Sequence, residues 1–351
     1  VTGRASSIDA AAMNAVAAGR FRRLARQRLT IGVLATLVLL VFALTLTLGQ
    51  SFTPPATVLR VLIGEDIAGA GFLVGTLRLP RAVLSVLAGL SFGLGGVVFQ
   101  IMLRNPLASP DIIGITSGAS AAAVFAITVL SLDGPVVSLL AVAAGLGVAL
   151  LIYALAVRNG VAGTRLILVG IGVSAMLNSV IAYILSTAPA WNLQEAMRWL
   201  TGSVNGARLG EAWLLLLAVI VFGAILLARR RDLEVLRLGD EMAAGLGVNV
   251  ARTRIAVIFA AVGMIAIATA VTGPIAFISF LSGPIAARLV GGGASLLVPS
   301  ALIGALLALA GDYAGQFLLP SRYPVGVVTG ALGAPYLLYL IARINRSGRS
   351  L

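Results

Sequence analysis

A chain of 351 residues that is 60% hydrophobic and only 11% charged has too little polar surface to fold as a water-soluble domain, so it reads as a polytopic membrane protein. Its 25 basic residues are all arginine, and it contains no histidine and no cysteine. These absences exclude a GxxxxGK[ST] phosphate loop, thiolate or imidazole metal ligands, disulfides, and Ser-His or Cys-His catalysis.

At roughly 20 apolar residues per crossing, ten runs can be read, at 29–49, 83–103, 112–132, 135–157, 166–187, 212–228, 255–272, 274–290, 296–319 and 325–341. The expected fold is therefore all-α, with about ten transmembrane helices. The first run is too long for a signal-peptide core and lacks a small-residue cleavage site, so it is expected to be a retained anchor. Ten crossings put both termini on one side. Tails and loops on that side hold 19 of the 25 arginines, and the other side holds Arg60, Arg78, Arg81, Arg198, Arg208 and Arg322. The arginine-rich side is the cytoplasmic one, so both termini are expected there. This divides the chain into a basic tail at 1–28, a ten-helix domain at 29–342 with a long cytoplasmic loop at 229–254, and a basic tail at 343–351.

Within the second run, Gly89 and Gly93 form a GxxxG pair with Gly96 nearby, a pattern that lets another backbone approach and predicts a helix buried in the bundle. The turn after it, Arg104-Asn105-Pro106-Leu107-Ala108-Ser109-Pro110, carries two prolines and is expected to be rigid and non-helical. Further breaks fall at Gly273-Pro274, Gly283-Pro284 and Gly333-Ala334-Pro335. Proline frees a carbonyl that protein or a watery cavity must satisfy, so helices broken this often suit a transporter better than an anchor. In the loop at 229–254, the segment 238–248 opens with the acids Asp240 and Glu241, sets Met242 and Leu246 four apart on one face, and closes at glycine. It predicts a short surface helix that seeks a partner's groove. Asp312 alone lies well inside a run, with no clear partner.

Six blocks in this order resemble the iron-siderophore and vitamin B12 permease family of ABC importers, over nearly the whole chain after the N-terminal tail. They are Arg78-Leu79-Pro80-Arg81, Arg104 to Ala108, Gly114 to Gly118, Leu238 to Glu241 with Leu246-Gly247-Val248, Gly273 to Phe277, and Pro324 to Thr329 with Gly333-Ala334-Pro335. The stretches at 109–114 and 158–167 look most like the second permease subunit of ferric-catecholate importers. The resemblance implies a transport subunit, not an enzyme, in a bacterial cytoplasmic membrane, carrying a ferric siderophore inward. It would work beside a second permease subunit, a sister chain in preference to a second copy, with two ATP-binding subunits below and a substrate-binding protein outside. ATP and Mg would be used by those ATP-binding subunits, the chain itself would hold no cofactor or metal, and lipid rather than nucleic acid would surround it.

For particular residues the resemblance implies ATPase coupling at Leu238, Gly239, Asp240, Glu241, Met242, Leu246 and Gly247. It implies docking of the binding protein at Arg78, Arg81 and Arg322, where Gln316 stands in place of a docking arginine common in the family. A cytoplasmic gate would be formed by Asn105, Leu107, Gly163 and Thr164. Cobalamin or haem as cargo of the same machine stays open as an alternative. An ion-coupled secondary transporter is the rival of another class, and it would need intramembrane acids that this chain lacks apart from Asp312.

Overall fold

The computed structural model describes residues 2–110, 114–156, 163–291 and 293–346, and the described residues are helical with no strand. The helices are α1 (Thr2–Thr47), α2 (Pro55–Leu62), a π-helical stretch (Gly71–Arg78) running into α3 (Leu79–Met102), α4 (Ile115–Thr128), α5 (Gly134–Ala156), α6 (Gly163–Thr187) and α7 (Ala190–Thr201). They continue as α8 (Leu209–Ala228), α9 (Arg230–Leu236), α10 (Asp240–Gly245), α11 (Val250–Thr272), α12 (Ile278–Val290), α13 (Leu297–Phe317) and α14 (Val325–Arg346).

Each of the ten apolar runs falls on one helix, but only eight of these are long and apolar enough to cross a membrane. The exceptions are α4 and α12, with 14 and 13 residues. At 1.5 Å per residue each covers about 20 Å of a hydrocarbon layer about 30 Å thick. Non-helical backbone precedes both. Arg104 and Gly114 take positive φ (50° and 73°) ahead of α4, and Gly273 and Phe277 do so (69° and 65°) ahead of α12. Helix α1 runs without a break from the basic N-terminal segment into the first apolar run. At the cytoplasmic end of α1, Arg26 Nε donates to the Leu289 carbonyl at 3.0 Å and Gln27 to the Ser295 carbonyl at 3.1 Å. A guanidinium thus covers the last carbonyls of α12, which have no helical partner of their own.

The segment containing α3 is the axle of the bundle. Its apolar window is 78% buried, against 22% for that of α1, and it packs on α8, α11, α12 and α13. Glycine makes this possible. A Cβ on Gly89 would strike the backbone of Gly304 and Ala305, one on Gly93 the Ser300 carbonyl, and one on Gly96 the backbone of Ser279. Helices with side chains at those positions could not approach so closely.

Gln100, buried near the cytoplasmic end of α3, is explained by a proline on its neighbour. Pro284 lies inside α12 and offers no N–H to the carbonyl four residues before it, that of Phe280. Gln100 Nε2 donates to that carbonyl at 3.0 Å. The amide of α3 thereby restores the hydrogen bond that α12 lacks.

Candidate coupling and docking surfaces

The cytoplasmic loop folds as α9, a tight turn and α10. Leu233 and Leu236 of α9 and Ala243 of α10 are buried in the main core, with Val248 packed against them. Gly239, at φ 111°, makes the turn between the helices, and Gly247, at φ 85°, ends the segment. Asn249 Oδ1 accepts from the Arg252 N–H at 3.0 Å and starts α11. Two polar ties fix this shelf to α11: Asp240 Oδ1 meets Arg254 Nη2 at 2.9 Å, and Asp232 Oδ2 accepts from the Thr253 hydroxyl at 3.2 Å while pairing with Arg229 at 3.1 Å.

With its inner face held, the shelf turns Leu238, Met242 and Leu246 outward at 61%, 62% and 64% exposure. Leucine and methionine four residues apart, all uncovered on a firmly held element, form a surface that loses free energy when a groove covers it. Glu241 is exposed beside them.

The proline turn lies against this shelf. Arg104 Nη1 sits 3.3 Å from where a Gly239 Cβ would be. Asn105 Oδ1 accepts from the Leu107 N–H at 2.9 Å, and its own N–H reaches the Gln100 carbonyl at 3.0 Å, so the turn is closed on itself. Leu107 packs in the apolar group around Phe280, Leu281 and Leu340, on α12 and α14. Gly163 and Thr164 open α6, but their side chains lie outside the described residues. No contact between them and the turn is therefore described.

The outer arginines differ from expectation. Arg78 is not presented outward. It is buried, and its guanidinium donates to the carbonyls of Leu46 (2.9 Å), Thr47 (3.1 Å) and Ser51 (2.7 Å), closing the C-terminal end of α1. Arg81 pairs with Asp312 of α13 at 2.6 Å, with side-chain exposures of 19% and 3%. Asp312 therefore does have a partner, one turn below Arg78. Sequence reasoning missed both sets of partners, because Arg78's lie 27, 31 and 32 positions away along the chain and Arg81's lies 231 positions away. Arg322 is exposed and makes no ion pair among the described residues. Gln316, near the end of α13, is buried, and its amide donates to Asn205 Oδ1 at 3.1 Å and to the Tyr323 carbonyl at 3.5 Å, so it ties two outer loops together. At the outer end of the bundle, the Ser203 N–H bonds the Thr272 carbonyl at 2.7 Å and the Gly326 N–H bonds the Gly202 carbonyl at 3.2 Å, joining α7, α11 and α14.

A glycine-packed bundle of apolar helices, two of them too short to cross on their own, with a shelf bearing an apolar row at one end, defines a multi-pass membrane protein. The sequence belongs to the FecCD transport family, which it matches over residues 37–343. It is 40% identical to the achromobactin transport system permease protein CbrC of Dickeya dadantii, over 93% of this chain and 95% of that protein. It is 36% identical to the ferric enterobactin transport system permease protein FepG of Escherichia coli, over 82% of this chain and 88% of that one. Its fold superposes with a TM-score of 0.78 on an inward-facing conformation of a putative metal-chelate type ABC transporter, covering 90% of this chain and 99% of that chain at 24% identity.

Proposed function

We propose that this chain is the membrane-spanning permease subunit of an ATP-driven importer that brings a ferric siderophore across a bacterial cytoplasmic membrane, with hydrolysis supplied by separate ATP-binding subunits. The observation that carries the reading is the row Leu238, Met242 and Leu246, uncovered on a shelf anchored from behind by Asp240–Arg254 and Asp232–Thr253. An ATP-binding subunit offering an apolar groove would cover it, and the shelf's contact with Arg104 gives a direct route for its movement into the turn at Asn105 and Leu107.

A second permease subunit is supported by α6. Only 17% of its apolar window is buried, and one face leaves Gly172, Ala175, Ser179, Ala182 and Ser186 exposed. Small and hydroxylated side chains in that row favour close contact with another helix and a polar pathway over contact with lipid tails. The two faces would enclose the route of the chelate, with the turn at Asn105 and Leu107 and the start of α6 closing it toward the cytoplasm. On the outside, Arg322 is the expected docking arginine left free to meet an acidic binding protein, while Arg78 and Arg81 hold the rim in shape. The names of relatives, ferric enterobactin among them, favour a ferric chelate as cargo. With no histidine or cysteine to strip the metal, the iron would travel inside its chelator.

The test is to purify the chain from membranes with its companions and present a ferric siderophore and cobalamin to the bound machinery. The reading expects two ATP-binding subunits to copurify and the ferric chelate to stimulate hydrolysis. Recovery of the chain without any ATP-binding subunit, or stimulation by cobalamin alone, would overturn it.

A further inference from the structure

Helix α1 enters the membrane from a run of arginines and turns one face away from the bundle. Leu34 and Val38 are buried where it packs on α13, α12 and α3, yet only 22% of its apolar window is covered. On the uncovered side lies a groove of about 430 Å³, lined by Arg28, Leu29, Gly32, Val33, Thr36 and Leu37, all on α1. Arg28, Gly32 and Thr36 follow one another at four-residue steps, with Leu29, Val33 and Leu37 in a row beside them, so the groove runs along the helix for about 14 Å. Its floor is open at Gly32, where an added Cβ would meet nothing within 4 Å.

Arg28 stands at the mouth of this groove, at a depth set by the length of the helix. From Thr47, where Arg78 closes the outer end of α1, back to Arg28 is about 28 Å, close to a hydrocarbon thickness of about 30 Å. The guanidinium therefore lies at the level of the cytoplasmic phosphates, with the apolar groove on its membrane side. Arg26 is bonded to the carbonyls of Arg288 and Leu289, but Arg28 is exposed and makes no ion pair among the described residues. Nor does its own helix offset its charge. After Asp9, α1 has no acid, whereas Arg20, Arg22, Arg23, Arg26 and Arg28 all follow.

We propose that this groove holds an anionic phospholipid of the cytoplasmic leaflet, with one acyl chain lying over Gly32 and the phosphate on Arg28. The order of groups on the helix is that of the lipid. Its phosphate joins the acyl-bearing glycerol to the headgroup, and the apolar groove leads up to a cation, beyond which further arginines lie on the cytoplasmic side. A headgroup ending in an ammonium would project into that arginine segment and meet like charge. A headgroup whose only charge is the phosphate meets no such repulsion and gains the attraction of a basic segment at the membrane surface.

The experiment is native mass spectrometry of the full complex, released from nanodiscs that contain equimolar phosphatidylglycerol and phosphatidylethanolamine of identical chains. The wild type is expected to retain phosphatidylglycerol with about fivefold preference, which corresponds to about 1 kcal/mol. Arg28→Gln is expected to bring the two lipids within about twofold of each other. Arg22→Gln removes a charge from the same helix, about 120° round from the groove mouth, and is expected to keep the preference. Gly32→Leu fills the open floor of the groove, so the fold is preserved while one tightly held lipid is lost per copy of this chain. Equal retention of the two lipids by the wild type, an equal loss of preference in Arg22→Gln and Arg28→Gln, or an unchanged lipid count in Gly32→Leu would overturn the proposal.

Discussion

Replacing Leu246 by Asp tests the proposed coupling surface separately from the rest of the fold. Leu246 is 64% exposed and makes its turn through backbone hydrogen bonds, so the substitution leaves the bundle intact. Its effect appears on docking. Fully burying a leucine is worth about 1.5–3 kcal/mol, and roughly two thirds of that remains to be gained here, so about 1–2 kcal/mol of binding is lost. Covering a carboxylate without a partner adds a further penalty of about 1–3 kcal/mol. Together these come to about 3 kcal/mol, a weakening of the ATP-binding subunit on the order of 100-fold. Titrating purified ATP-binding subunit onto the permease in nanodiscs measures the change directly, with the melting temperature of the permease as the control. A Kd within threefold of the wild type would show that α10 is not at the contact, whatever its exposure.

Three further outcomes follow from the geometry. Gly93→Leu, which drives a side chain into the Ser300 carbonyl of α13, should destabilise the bundle by about 1–3 kcal/mol or more, read as a lowered melting temperature. Arg81→Leu should cost about 3–5 kcal/mol by leaving Asp312 buried and unpaired, and the double variant Arg81→Leu/Asp312→Leu should recover most of that loss in thermal melts. Single and double variants that melt alike would show that the pair contributes nothing. Reporters inserted near Asp66 and Asn249 should fall on opposite sides of the membrane, and a shared side would refute the ten-run topology.

The bundle was largely legible in the sequence because hydropathy over about 20 residues and glycine spacing are local signals, and both survive folding unchanged. Gly89, Gly93 and Gly96 announce a close approach, although not that Gly304 and Ser279 are what approaches. The exposed apolar row on the shelf was legible for the same reason, since Met242 and Leu246 share a face whatever surrounds them. The outer arginines were not. The family resemblance implied a docking surface, but an arginine's role depends on which carbonyls and carboxylates the fold brings to it. For Arg78 these are the end of α1, and for Arg81 they are Asp312 on α13. Gln100 belongs to the same class, because its partner is a carbonyl freed by a proline on another helix. The lengths of α4 and α12 were overestimated because an apolar run does not reveal where its backbone leaves the helix.

The central claim is an ATP-driven import of an intact ferric chelate, and reconstitution tests it most directly. The permease, its companion subunits and the binding protein would be placed in liposomes with iron and siderophore carrying separate labels. The account predicts that both labels accumulate together in equal amounts, only when ATP is supplied to the ATP-binding subunits, and that Leu246→Asp abolishes the uptake. Accumulation driven by an ion gradient without those subunits, or entry of iron without its chelator, would contradict it.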